Sequence, residues 1–170
     1  GDQAVAMGSL FFDYDLDGDL DMYLLNHSVH PQRSYGNISM RYQRDSLSGD
    51  RLYQNQNAET GSTYFKDVTK EAGILSSQLG YGLGIGISDF NRDGYPDIYV
   101  SNDFAENDYL YINQKNGTFS QESDISLAHT SRFSMGNEIA DLNNDLWTDI
   151  LTMDMLPRDE AVIKTSAGED

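Results

Sequence analysis

The nine residues DYDLDGDLD, Asp13 to Asp21, return twice in altered form, as DFNRDGYPD from Asp89 to Asp97 and as DLNNDLWTD from Asp141 to Asp149. Each copy carries an acid or its amide at the first, third, fifth and ninth positions. A glycine precedes each copy in the same register (Gly8, Gly84, Gly136), and a β-prone run follows each: DMYLLN, DIYVSN and DILTMD. Asn26, Asn102 and Asp154 hold equivalent places in those runs. Self-similarity of this kind marks repeated supersecondary units, and it constrains the fold more than any local propensity does.

A second unit recurs after the first two copies. RLYQNQ (51–56) is followed by TYFKDVT (63–69), and DYLYINQ (108–114) by GTFSQES (117–123). Both pairs alternate apolar and polar residues, and Asn116-Gly117 supplies turn chemistry, so each pair reads as a β-hairpin. One repeat is therefore an apolar strand, an acidic loop, an apolar strand and a hairpin. Four-stranded antiparallel units in series predict an all-β chain of β-propeller blades, here a fragment of a larger propeller. The competing reading is a β-sandwich with coincidental acidic turns, which three loops in one register disfavour. The expected organisation is blade 1 over 5–69 with an insertion at 27–50, blade 2 over 83–123, a partial blade 3 over 133–156, and a tail over 157–170.

Like charges packed this closely repel, so the loops need a counter-charge. Ca²⁺ takes about six to eight oxygens from carboxylates, amides, backbone carbonyls and water. Side chains at alternate positions of a tight loop can share one centre, position 7 can add a carbonyl, and position 6 favours Gly where the chain turns sharply. In the first loop the side-chain ligands are Asp13, Asp15, Asp17 and Asp21, with Gly18 at the turn; Asp19 gives its carbonyl and turns its side chain to water. In the second they are Asp89, Asn91, Asp93 and Asp97, with Gly94 at the turn and Tyr95 giving a carbonyl. In the third they are Asp141, Asn143, Asp145 and Asp149, with Trp147 giving a carbonyl. Leu146 stands there in place of the glycine, so the third site is expected to be weaker, distorted or empty. These are not EF-hands, because position 12 is Leu24, Val100 or Thr152 rather than Glu. Mg²⁺ prefers stricter octahedral geometry, and Zn²⁺ lacks its usual Cys and His ligands. A merely solvated acidic turn is the plain alternative.

Composition narrows the function classes. A net charge of −17 argues against nucleic acid as partner. Without cysteine there is no disulfide scaffold and no thiolate metal site. No apolar run reaches the ~18 residues of a membrane span. No signal peptide is visible, and the opening GDQAVAMGSLFFD reads as strand almost at once, as though the chain began inside a larger protein.

Other candidates are weaker. His27 and His30 form an HxxH pair that reads as polar loop histidines, and Ser28 lacks a nucleophile elbow. Asn37-Ile38-Ser39 and Asn116-Gly117-Thr118 match the glycosylation acceptor pattern, but turn geometry explains the second. The insertion mixes Tyr35 and Tyr42 with Arg33, Arg41 and Arg44, residue types suited either to recognition or to packing on neighbouring blades. Phe11, Tyr23, Tyr53, Phe65, Tyr99, Tyr111 and Phe119 are expected between packed sheets.

GLGIGISDFNRDGYPDIYVSND, with LYINQKNGTF after it, resembles the FG-GAP/VCBS repeats of integrin-α-like β-propellers. DGDLDMYLLN, RLYQNQ and TYFKDVTKEAGI resemble the bacterial group that carries these repeats ahead of an ASPIC/UnbV domain, related to cartilage acidic protein; no such domain is visible in this chain. The resemblance implies a secreted, cell-surface or periplasmic propeller with Ca²⁺ in its DxDxDG-type loops. It supplies no catalytic residue. The expected function is a calcium-stabilised binding or adhesion module, with an unknown protein or glycan as ligand and neighbouring blades or domains as intramolecular partners. An accessory propeller of an extracellular carbohydrate-active enzyme is the alternative.

Overall fold

The computed structural model describes residues 5–29, 38–104, 106–131 and 133–155. Among these described residues, ten strands form three antiparallel sheets in chain order. The first sheet is β1 (Val5–Phe12), β2 (Asp21–His27), β3 (Arg51–Asn55) and β4 (Phe65–Asp67), each strand beside the next. The second repeats that order with β5 (Gly82–Ser88), β6 (Asp97–Asn102), β7 (Tyr109–Asn113) and β8 (Phe119–Gln121). The third pairs β9 (Ser134–Ala140) with β10 (Asp149–Asp154). Each acidic loop is thus the connection between the first two strands of a sheet, as its apolar flanks predict. Short helices at Asn57–Thr60 and Ser123–Ser126, and a 3-10 helix at Ile38–Tyr42, complete the described elements.

The sheets stack through their first strands. β1 and β2 lie against β5, while β5 and β6 lie against β9. The second sheet is therefore covered on both faces, and every residue of β6 is buried. The main core fills the space between the first two sheets: Tyr23, Leu25 and Leu52 on one side, Ile98, Val100, Tyr109, Tyr111 and Phe119 on the other, closed by Ala72 and Ile74 from the connecting segment. Phe119 N–H donates to the Ala72 carbonyl at 2.8 Å, fastening that segment to β8.

Glycines set the spacing of the stack. The register of β1 with β2 and of β5 with β6 shifts just before Gly8 and Gly84, at matching β-bulges. A side chain at Gly84 would lie 2.8 Å from the Asn137 nitrogen and 2.9 Å from Gly136 Cα, so the third sheet approaches only because none is present.

Several expectations change. Phe11 and Phe65 are exposed and meet edge to face at 6.4 Å on the outer face of the first sheet; no described sheet covers that face. Asn116-Gly117 is not a two-residue turn: positive φ falls on Lys115 (62°) and Gly117 (79°), and Gln114 N–H closes the turn on Thr118. The insertion's Arg33, Tyr35 and His30 lie outside the described residues. Arg41 pairs with Glu106 at 2.9 Å and Arg44 donates to the Ile74 carbonyl at 2.7 Å, so both tie the insertion to its own neighbours. Their partners are buried polar atoms that need a donor. Tyr42 is exposed. His27 is engaged with the Tyr81 ring, edge to face at 4.3 Å.

Candidate metal centre

The three loops share one hydrogen-bond frame. The first aspartate of each caps the backbone turn that follows: Asp13 accepts from Asp17 N–H (3.1 Å) and Gly18 N–H (3.0 Å). Asp89 accepts from Asp93 (2.9 Å) and Gly94 (2.8 Å), and Asp141 from Asp145 (3.1 Å) and Leu146 (2.9 Å). The fifth-position aspartate accepts from the N–H of position 7 at Asp19, Tyr95 and Trp147. The ninth reaches back to the N–H of position 2 at Tyr14, Phe90 and Leu142.

Position 6 is left-handed throughout: Gly18 at φ 96°, Gly94 at 91° and Leu146 at 71°. The leucine therefore does not break the loop; it adopts the glycine's conformation under strain. Position 4 is left-handed as well, at Leu16, Arg92 and Asn144. Only the asparagine there carries a sequence signal for that conformation.

In the first loop, carboxylate oxygens of Asp13, Asp15 and Asp21 lie within 4.8 Å of one another. Asp15 is half-buried; its Oδ2 accepts from Gln54 Nε2 at 2.7 Å, while its Oδ1 is buried without a hydrogen-bond partner. Asp17 is exposed and holds the Asp19 N–H, outside the cluster of three. Asp19 is half-buried, with its Oδ1 out of contact with water, rather than turned to water. In the second and third loops position 3 is an amide. Asn91 and Asn143 turn toward Asp93 and Asp145 through reciprocal bonds of 2.8–3.0 Å. The third loop is exposed from Asp141 to Trp147, and Asp149 is half-buried.

Asp21 and Asp97 are fully buried, and each ties its loop to the third strand of its sheet. Asp21 Oδ1 accepts from Asn55 N–H and Asp97 Oδ1 from Asn113 N–H, both at 2.8 Å. Burial pushes the Asp21 carboxyl up to about 7, with Asp15 and Asp17 adding repulsion. Burial raises Asp97 and Asp15 too. Oxygens crowded, buried and short of donors are what a hard divalent cation relieves, and the donor set is all oxygen.

A second pair of buried acids escaped sequence reasoning. Asp50 accepts from Tyr23 OH and Asn26 N–H, both at 2.9 Å. Asp108 accepts from Tyr99 OH at 2.6 Å and Asn102 N–H at 2.7 Å. Each stands just before the third strand, and the shared signal is Asp-x-Leu-Tyr-x-Asn at 50–55 and 108–113. Asn recurs at 26 and 102 because its side-chain amide also donates beside each acid, to the Gly49 carbonyl at 2.7 Å and to the Asn107 carbonyl at 3.0 Å. Trp147 also has a neighbour in the next loop: the Arg92 guanidinium lies 3.8 Å from its ring centre.

Among the described residues no helix is long and apolar enough to cross a membrane. No curated protein matches the chain. The family model of the FG-GAP-like repeat matches residues 89–152, from the first aspartate of the second loop to Thr152 in β10, so this part of the chain is similar to an FG-GAP-like repeat.

Proposed function

We propose that the chain is a calcium-binding, calcium-stabilised segment of a β-propeller. The observation that carries this reading is the first loop, where Asp13, Asp15 and Asp21 bring carboxylate oxygens within 4.8 Å and one Asp15 oxygen is buried without a partner. The second and third loops repeat the same frame and would hold Ca²⁺ through Asp89, Asn91, Asp93, Asp97 and Asp141, Asn143, Asp145, Asp149, with carbonyls from position 7. The ion pins the connection between the first two strands of each blade. Four-stranded sheets stacked in series, with an FG-GAP-like repeat among them, support the propeller architecture.

Calcium titration of the whole chain by calorimetry tests this. The expected stoichiometry is about two to three ions per chain at affinities of roughly 10⁻⁴–10⁻³ M, the range of extracellular modules. Asp13→Ala is expected to remove one ion; absence of binding heat overturns the reading.

At the level of the whole protein, we infer a secreted, cell-surface or periplasmic module that binds a protein or glycan. Calcium loops of the affinity expected above would be filled outside the cell, where free calcium is high. The resemblance of the first repeat to ASPIC/UnbV-associated proteins supports neighbouring domains. Glycan and protein arrays probed with the chain in calcium test the binding role, and the absence of any saturable ligand counts against it.

A further inference from the structure

One side chain touches both of the first two loops. Asn113, at the end of β7, is buried, and its Nδ2 donates to the Tyr14 carbonyl of the first loop at 2.8 Å and to the Pro96 carbonyl of the second at 3.2 Å. An amide nitrogen has two hydrogens, and both are used, one per loop. The rest of the residue is fixed as well. Its N–H donates to Asp97 Oδ1 at 2.8 Å, and its Oδ1 accepts from Lys115 N–H at 2.9 Å. Each contacted loop is in turn held by its ninth aspartate, Tyr14 N–H on Asp21 and Phe90 N–H on Asp97.

We propose that Asn113 is a positioning residue that couples the first two acidic loops, so that a cation in one raises the affinity of the other. The proposal rests on the calcium reading above. An ion in the first loop holds Asp21, and with it the Tyr14 segment bonded to Asp21, in place, which presents the Tyr14 carbonyl to Asn113. With that bond made, the Asn113 amide is already oriented for Pro96, and its N–H for Asp97. The ordering of the second loop is then partly accomplished before its own ion arrives. By thermodynamic reciprocity the second ion helps the first equally.

The test uses the 170-residue chain carrying Asp141→Ala, so that the third loop contributes no binding. Calorimetric calcium titration gives the second-loop affinity with and without Asp13→Ala. The expected result is a loss of about five-fold or more on Asp13→Ala, and no loss when Asn113→Leu is already present. An unchanged affinity, or equal losses in both backgrounds, overturns the coupling. A second measurement needs no change at Asn113. In an Asp89→Ala chain, calcium entering the first loop is expected to shift the Asn113 side-chain NH₂ resonances and slow their exchange; unmoved resonances overturn the proposal. A chain that binds no calcium overturns the calcium reading itself, whereas two independent sites overturn the coupling alone.

Discussion

Leu146 gives its backbone N–H to Asp141 at 2.9 Å from a left-handed conformation, φ 71°, the bond and the geometry that Gly18 and Gly94 supply in the other two loops. A side chain in that region costs about 1–2 kcal/mol. Leu146→Gly is therefore expected to stabilise the chain by about 1 kcal/mol in urea denaturation and to tighten calcium binding at the third loop. Trp147, the sole tryptophan, lies within that loop, so its emission reports the tighter binding directly. Equal stability and equal titration midpoints for the two chains contradict the strain.

Gly84 is a packing residue of a different sort. Its missing side chain leaves room for the backbone of Asn137 and Gly136, which cannot swing aside as a side-chain tip can. Gly84→Ala is expected to cost about 1–3 kcal/mol and to raise amide exchange in β9 and β10 more than in β1 to β4. Uniform exchange across all three sheets contradicts the assignment of this glycine to the sheet–sheet contact.

The burial of Asp50 predicts a pH dependence opposite to that of a salt bridge, against the pull of its bonds from Tyr23 and Asn26. Burial pushes the Asp50 carboxyl up to about 7. The folded state then holds a proton that the unfolded chain releases near 4. The favourable contribution is complete below the unfolded value and is lost as pH rises through the folded one. In chelator, stability is expected to fall between about pH 4 and pH 7. Asp50→Asn is expected to flatten part of that slope. It also leaves two donors, Tyr23 OH and Asn26 N–H, facing an amide with one oxygen, at a cost of about 1–3 kcal/mol. An unaltered slope contradicts the assignment.

The repeat was legible because its acids fall at fixed offsets inside apolar runs, and period two plus turn residues carried the strand order to β10. Left-handed backbone at Leu16 and Arg92 was not legible, since neither residue type favours it and only the loop frame imposes it. Asp50 ends the insertion and looked like loop polarity; its role depends on burial against Tyr23, which is a tertiary fact. Asn113 stands in the strand-forming stretch DYLYINQ without a signal of its own, because a buried asparagine and an exposed one read alike in sequence. The outward Phe11 and Phe65 depend on which face each sheet turns to its neighbour, and alternation alone does not choose between the two faces.

Thermal unfolding of the whole chain in millimolar Ca²⁺ and in excess chelator tests the central claim most directly. An ion bound only by the folded state at about 10 times its dissociation constant adds about 1.4 kcal/mol, or a few degrees in Tm. The account predicts a higher Tm in calcium at neutral pH, a smaller gain for Asp13→Ala and for Asp89→Ala, and little gain from equimolar Mg²⁺. Superimposable melting curves in calcium and in chelator would contradict it.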